Sequence, residues 1–422
     1  MAKIVLFGPG PQFKGGISNY NTSLAKALDK QGVEVNIVSW TQQYPSIIPR
    51  DFKDRTSKVT FLEGTNVKVD YLTNYNNPFS WAKTVKHIKA LKPKAVVFQW
   101  AIALQGLPMG WMARRLRNSG IEVIFVLHLV AQKEASSIDK YFSKYGLSKV
   151  PTYITHAYKT VEELKSLFPK RDYTVTETGE RTPGKANQII KLFHPIYDLF
   201  EPLPDFDIEA QKKEWGLKKN VLMYFGFIRK YKGLHQAIEA FKLVADKRDD
   251  VSMIIAGESF WNTLDDKKLS TKIKQFLFGF ASKLLLKKKD DERGYDPIAL
   301  VKQYGLEDKT AVFNRFIPNE EVPKFFQVAD AIVLYYLNAT PSGIESLSYN
   351  FQLPVLATKV GHFPETIEHG YNGYLAEDRD VQSMAAEMER MIDQPISREN
   401  IAQAAKNMSW ENYATAILKP HI

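Results

Sequence analysis

Three short stretches gather residue types that bind anions. In "VLMYFGFIRKYKGLHQAIEA", Val221 to Ala240, an apolar run ends at Gly226 and meets Arg229, Lys230, Lys232 and Gly233 before helical apolar spacing resumes. Arginine can fork two donors onto phosphate oxygens and lysine adds a compact point charge. The turn is therefore either a phosphate clamp or a solvated basic loop. In "GPGPQFKGGISNY" a glycine-rich turn joins the first apolar run to a helix, so backbone amides could approach an anion at the positive end of the helix dipole; a plain tight turn is the alternative. Gly15 and Gly16, nearest the helix start, are the better contacts. A dinucleotide G-x-G-x-x-G pattern is broken by Phe13, and "VNIVSW" ends in Ser39 and Trp40 rather than an acid, which disfavours a nicotinamide enzyme. In "YYLNATPSGIESL", Ser342, Gly343 and Ile344 open a helix after an apolar strand, and their amides would point to the edge where the Arg229 loop arrives. Glu345 stands three residues after Ser342, the capping-box spacing, so it is either a helix cap or a catalytic or ribose-binding acid.

These stretches need elements to hold them. Near-continuous apolar runs, "KIVLFG", "VEVNIVSW", "AVVFQW", "IEVIFVLH" and "TYITHA", alternate with helical patterns, and the rhythm recurs in "NVLMYFGF", "VSMIIAGE", "AVFNRF", "DAIVLYY" and "LPVLATKV". Such strands, apolar on both faces, belong to parallel sheets covered by helices. The chain is thus α/β, with two open sheets in tandem and a break at "FHPIYDLFEPLPDFD", Phe193 to Asp207. Ligands of open parallel sheets sit beyond the carboxyl ends of the strands, so two such sheets imply a cleft between them. Residues 1–195 and 196–407 are the expected domains, with 408–422 a closing helix that could cross the seam.

At 422 residues the chain exceeds what one core usually organises, and 44% hydrophobic content is ordinary for a globular protein. The absence of cysteine fits a reducing cytosol. "MAKIVLFGPGPQ" does not read as a signal peptide, and no uncharged run is long enough to span a bilayer. The expected location is cytoplasmic, either soluble or peripheral on the inner face of a membrane. A net charge of +10 suggests polyanionic surroundings. "KKLSTKIKQFLFGFASKLLLKKK", Lys267–Lys289, has the pattern of a basic amphipathic helix, which would lie on an anionic membrane or pack on its own domain. "MGWMARRLRNSG" is a second basic segment carrying an aromatic residue. Lysines are otherwise scattered, so nucleic acid is not an expected partner.

Taken together, "KGGISNYNTSLAKAL", "FGFIRKYKGL", "FIPNEEVPKFFQVADAIVLYY" and "LPVLATKVGHFPETIEHGYNGYL" resemble a GT-B-fold glycosyltransferase, most closely the family-4 retaining enzymes, over nearly the whole chain. The resemblance implies two Rossmann-like domains, a C-terminal one for a nucleotide-activated sugar and an N-terminal one for the acceptor. It further implies that Arg229 and Lys232 grip the diphosphate, that Gly16 faces it across the cleft, and that Phe316 and Ile317 meet the base. Ser342 to Ile344 would then meet phosphates or ribose. One departure stands out: the two glutamates such enzymes usually carry fall here at Ala339 and Leu347.

With that resemblance, His128, ending "IEVIFVLH", becomes a candidate contact to acceptor or transferred sugar, or else a structural histidine. Glu134 would face the acceptor and Glu258, closing "MIIAGE", the nucleotide; His156 and His362 are similarly placed. Asp205-Phe206-Asp207 spells a D-x-D but directly precedes "IEAQKKEWGL", which predicts helix capping. No cluster has metal-ligand spacing, so neither a metal nor a resident cofactor is expected. The expected activity is transfer of a sugar from a UDP- or GDP-linked donor to a hydroxyl, on a glycan or lipid-linked acceptor. A non-catalytic nucleotide-sugar-binding protein and a nucleotide-sugar epimerase are the alternatives.

Overall fold

Runs such as Ile4-Val5-Leu6-Phe7 and Leu222-Met223-Tyr224 have no polar face to show water, and in the structure both lie in the middle of parallel sheets. The structure is a computed structural model and describes residues 2–44, 52–58, 61–130, 137–259, 294–341 and 343–421. The segment Lys267–Lys289 lies outside the described residues.

The N-terminal sheet has eight parallel strands: β1 (Lys3–Phe7), β2 (Glu34–Gln42), β3 (Lys68–Asn74), β4 (Ala95–Trp100), β5 (Glu122–Leu127), β6 (Thr152–Thr155), β7 (Thr174–Thr176) and β8 (Gln188–Lys191), in the order 3-2-1-4-5-6-8-7. The C-terminal sheet has six: β9 (Asn220–Phe225), β10 (Val251–Ala256), β11 (Thr310–Phe313), β12 (Ala331–Leu334), β13 (Val355–Thr358) and β14 (Gly373–Ala376). Their order, 11-10-9-12-13-14, is the doubly wound Rossmann arrangement. Both sheets reverse direction beside their first strand, between β1 and β4 and between β9 and β12. These switch points leave a crevice at the carboxyl ends of the strands, where a ligand can meet several loops. The chain thus forms two parallel-sheet α/β domains, the arrangement that the resemblance in sequence implied. Strands β3, β7, β8 and β14 carried no clear apolar run; β7 has only three residues, too few for a pattern.

Helix Trp410–Leu418 packs on the first helix of the chain, Gly16–Lys30. Gln31 Nε2 donates to the Glu411 carbonyl at 3.0 Å, and the Arg181 guanidinium donates to the carbonyls of Ala416 and Ile417 at 3.0 and 2.6 Å. Arg181 also pairs with Glu122, both side chains fully buried, and His421 lies 2.6 Å from the other carboxylate oxygen of Glu122. The end of the chain is therefore stitched to the N-terminal sheet by a satisfied buried ion pair rather than by a surface contact. Asp207 caps helix Ile208–Glu214 through a bond from Ala210 N–H, the task its position in sequence suggested.

Candidate functional site

The C-terminal wall of the crevice begins where β9 stops. Gly226 has φ of +103°, and a Cβ there would stand 3.0 Å from Lys232 Nζ and 3.3 Å from Ile344 Cδ1. The Lys232 ammonium and the side chain of Ile344, second residue of helix Gly343–Asn350, thus both lie against the strand edge. Gly233, at φ of +65°, lets the chain turn from Lys232 into helix Leu234–Ala245, and a side chain there would collide with the Tyr335 carbonyl at 1.9 Å. These two glycines fold Lys232 back over the strand end.

Lys232 is 9% exposed, its ammonium 5.8 Å from the Tyr336 ring centroid, and among the described residues no carboxylate pairs with it. Burial, and secondarily the neighbouring Arg229, push its pKa down to about 8. A buried cation with no counter-ion is costly unless an anion arrives. Arg229 is half-buried, with its guanidinium carbon 5.8 Å from the Tyr231 ring, and is not among the residues that line the crevice.

The N-terminal wall is a tied loop. Gly10 N–H donates to Ser39 Oγ at 2.8 Å, Ser18 Oγ donates to Gly10 O at 2.7 Å, and Asn21 Nδ2 donates to Pro9 O at 3.2 Å. Gly15, at φ of +106°, starts helix Gly16–Lys30 with no side-chain cap. Its first amides therefore remain for a ligand or water. Lys14 extends across the crevice, Nζ 4.7 Å from the Phe316 ring centroid.

Tyr197, in the connection between the domains, joins the two helix openings. Its hydroxyl donates to Gly16 O at 2.7 Å, while a Cβ on Gly343 would fall 2.3 Å from its ring. One aromatic ring therefore sets the spacing between the first helix of one domain and the helix Gly343–Asn350 of the other.

Histidines gather behind this strut. His128 lies 2.9 Å from Gln99 Oε1 and edge-on to Tyr20. His156 Nε2 is 3.1 Å from both the Tyr20 and Tyr413 hydroxyls, and His194 lies 2.6 Å from Ser346 Oγ. Burial, then His194, lowers His128 to about 3; burial lowers His194 to about 4. Both are neutral at pH 7, so they can exchange hydrogen bonds with a sugar hydroxyl without adding charge. His128 and His194 line the crevice, while His156 is 2% exposed and holds Tyr413 of the closing helix.

The crevice has a volume of about 710 Å³. Gly15, Gly16, His128, Lys232, Glu258, Phe316, Ile317, Gly343 and Ile344 all line it. Glu345 does not: its carboxylate is buried 2.5 Å from His362 Nε2 and accepts from Thr366 Oγ1 at 2.5 Å. Burial opposes its ionisation, but His362 and these hydrogen bonds win and hold its pKa below the usual carboxylate range. Glu134 and Ser342 lie outside the described residues. Leu347, at a position where similar enzymes carry glutamate, is 3% exposed and lines the wall, whereas Ala339 offers its carbonyl to Lys159 Nζ at 3.1 Å. Lys14, His194, Tyr197, Arg315 and Tyr336 also line the crevice without having been singled out in sequence. Lys14 adjoins the Gly15-Gly16 pair and Arg315 precedes Phe316, so adjacency was the only available signal; Tyr197 had none. Among the described residues no group of three or more acids and histidines could hold a metal ion.

The chain matches the family model for glycosyl transferases group 1 over residues 205–408 and that for Glycosyltransferase Family 4 over residues 14–179. It is 22% identical to spore coat protein SA of Bacillus subtilis over 50% of this chain and 51% of that one. N-acetyl-alpha-D-glucosaminyl L-malate synthase of Bacillus anthracis is 20% identical over 94% of this chain and 90% of its own. The matches to the first curated relatives span about half of those proteins' length. Among solved structures, Anabaena HepE in complex with UDP and glucose superposes over 100% of this chain and 98% of its own, with a TM-score of 0.63 at 15% identity. A glycosyltransferase from Rickettsia africae gives 0.65 at 14% identity, over 100% and 97%.

Proposed function

Since the chain belongs to the group 1, family-4 glycosyltransferases of GT-B fold, we propose that it moves a sugar, with retention of configuration, from a nucleoside-diphosphate donor to a hydroxyl. The observation that carries this reading is Lys232, a buried ammonium without a carboxylate partner among the described residues, which lines the crevice together with Gly343 and Ile344 at the start of a helix. In this reading the pyrophosphate sits there. Lys232, whose charge the neighbouring Arg229 reinforces, and the uncapped amides at Gly16 face the negative charge that develops as the nucleotide departs. Fixed positive dipoles and cations aimed at a developing charge are a large source of rate acceleration, and here they ask for no metal. Phe316 and Ile317 offer the base an apolar wall, and neutral His128 serves the sugar or the incoming hydroxyl. UDP is the nucleotide we favour, because the HepE neighbour was solved with UDP and glucose.

The test is release of nucleoside diphosphate from a panel of UDP- and GDP-sugars, with simple sugars and a crude lipid extract as acceptors. Turnover with one donor, lost in Lys232→Met, is the expected result. The burial of Leu347 in the wall favours one second reading, a protein that binds the donor without turnover. Tight nucleotide binding with no release across the panel would select it.

A further inference from the structure

Three helices cover the outer face of the N-terminal sheet: Pro78–Leu91, Gly106–Arg117 and Ser137–Leu147. They pack side by side, the first two through Trp81 and Trp111 with ring centroids 6.0 Å apart. The second and third cross where a Cβ on Gly110 would come within 2.8 Å of Gly146 Cα. Each follows a strand of one parallel sheet, so all three begin at the carboxyl edge, the edge on which the crevice opens.

At that edge each helix shows water an apolar side chain as its second residue. Phe79 is 88% exposed, Leu107 37% and Ile138 53%, and Tyr141, one turn beyond Ile138, is 64% exposed. These are half of the eight large apolar residues exposed among the described residues. The face they edge is strongly cationic. From Tyr71 to Ile121 there is no aspartate or glutamate; of the exposed cations there, Lys83 and Lys86 lie in the first turns of their helix beside the rim, while Lys89, Lys92, Lys94, Arg114, Arg115 and Arg117 lie toward the far ends of the helices. At the chain's average of 47 acids in 422 residues, about six acids would be expected over that length. Lys140 and Lys144 extend the field across the third helix, where Asp139 is the one acid.

We propose that this rim docks on the surface of an anionic phospholipid bilayer, with Phe79, Leu107, Ile138 and Tyr141 entering the headgroup–acyl boundary and Lys83, Lys86, Lys140 and Lys144 facing lipid phosphates. Exposed apolar side chains that project beside basic residues suit a bilayer, which offers an apolar phase beneath a charged one. A nucleic acid would satisfy the cations alone. Docked in this way, the crevice opens toward the membrane. The inference is distinct from the basic segment Lys267–Lys289 and independent of the donor reading.

Co-sedimentation of the full chain with vesicles tests it, using phosphatidylcholine alone and phosphatidylcholine with about 30% phosphatidylglycerol. Sedimentation only with the anionic vesicles is expected. The triple variant Phe79→Ser, Ile138→Ser, Tyr141→Ser and the double variant Lys83→Glu, Lys86→Glu should each lower it about tenfold or more. A chain lacking 267–289 should keep most of it. Phe79→Ser alone, at a side chain already in water, keeps the test meaningful should the triple variant fold poorly. The proposal is overturned if the intact chain does not sediment, if the rim variants sediment like wild type, if deletion of 267–289 alone abolishes binding, or if the chain binds RNA and ignores the vesicles. UDP affinity measured on the same variants should be unchanged, which separates loss of docking from damage to the crevice.

Discussion

Lys232 is held at a thermodynamic disadvantage. Its folded-state pKa of about 8 lies below the ordinary lysine value, so between about pH 8 and 10.4 the unfolded chain binds more protons, and stability rises with pH across that window. Below it the full penalty applies, about 3 kcal/mol. Lys232→Met removes the charge and keeps most of the stem, so it should raise Tm by several degrees at pH 7 while weakening nucleotide-diphosphate binding. Wild-type affinity should be full below pH 8 and decline as pH rises past 8, because the bound anion selects the protonated amine; thermal shift with UDP at pH 7 and pH 9.5 measures both effects. A Tm unchanged in Lys232→Met, with affinity flat in pH, would contradict the reading of Lys232. Glu345 shows the opposite economy: a buried acid whose hydrogen bonds and histidine are all supplied from within its own domain.

Two helix openings are set by a single ring, which makes Gly343 the sensitive point among the elements. Gly343→Ala would drive a methyl into Tyr197, whose hydroxyl is fastened to Gly16, and overpacking of this kind costs about 1–3 kcal/mol. A lowered Tm together with weaker UDP binding is expected, whereas Tyr197→Phe should lose only about 1 kcal/mol of stability through the missing hydrogen bond. Calorimetry on both variants distinguishes them, and a wild-type Gly343→Ala would show that the spacing does not matter. Elements were also where sequence served best. Strands such as β4 and β9 are apolar throughout, and that pattern survives without tertiary knowledge. Lys232 and the Gly343 turn could be read because strand, glycine and cation follow one another within a few residues. Tyr197 could not, since its partners Gly16 and Gly343 are 181 and 146 positions away in sequence, and nothing local marks a residue whose role is long-range. The same holds for Glu345: cap, catalyst and buried ion-pair member share one local sequence, and only its burial against His362 and Thr366 shows which contacts it makes.

Across the whole molecule, two sheets present their switch points to one crevice. The C-terminal sheet contributes charge through Lys232, the N-terminal domain contributes uncapped amides at Gly16, and the closing helix ties the arrangement through Tyr413, His156 and Arg181. A ligand that spans the crevice should therefore owe its affinity to its diphosphate more than to its base. Isothermal titration of UDP and of uridine against wild type and Lys232→Met examines this directly. The expected result is UDP affinity falling about tenfold or more in the variant, as for loss of one charge-assisted contact, with uridine binding weak and equal in both proteins. Equal UDP affinity in the two proteins, or an equal loss for UDP and uridine, would contradict a pyrophosphate held at Lys232.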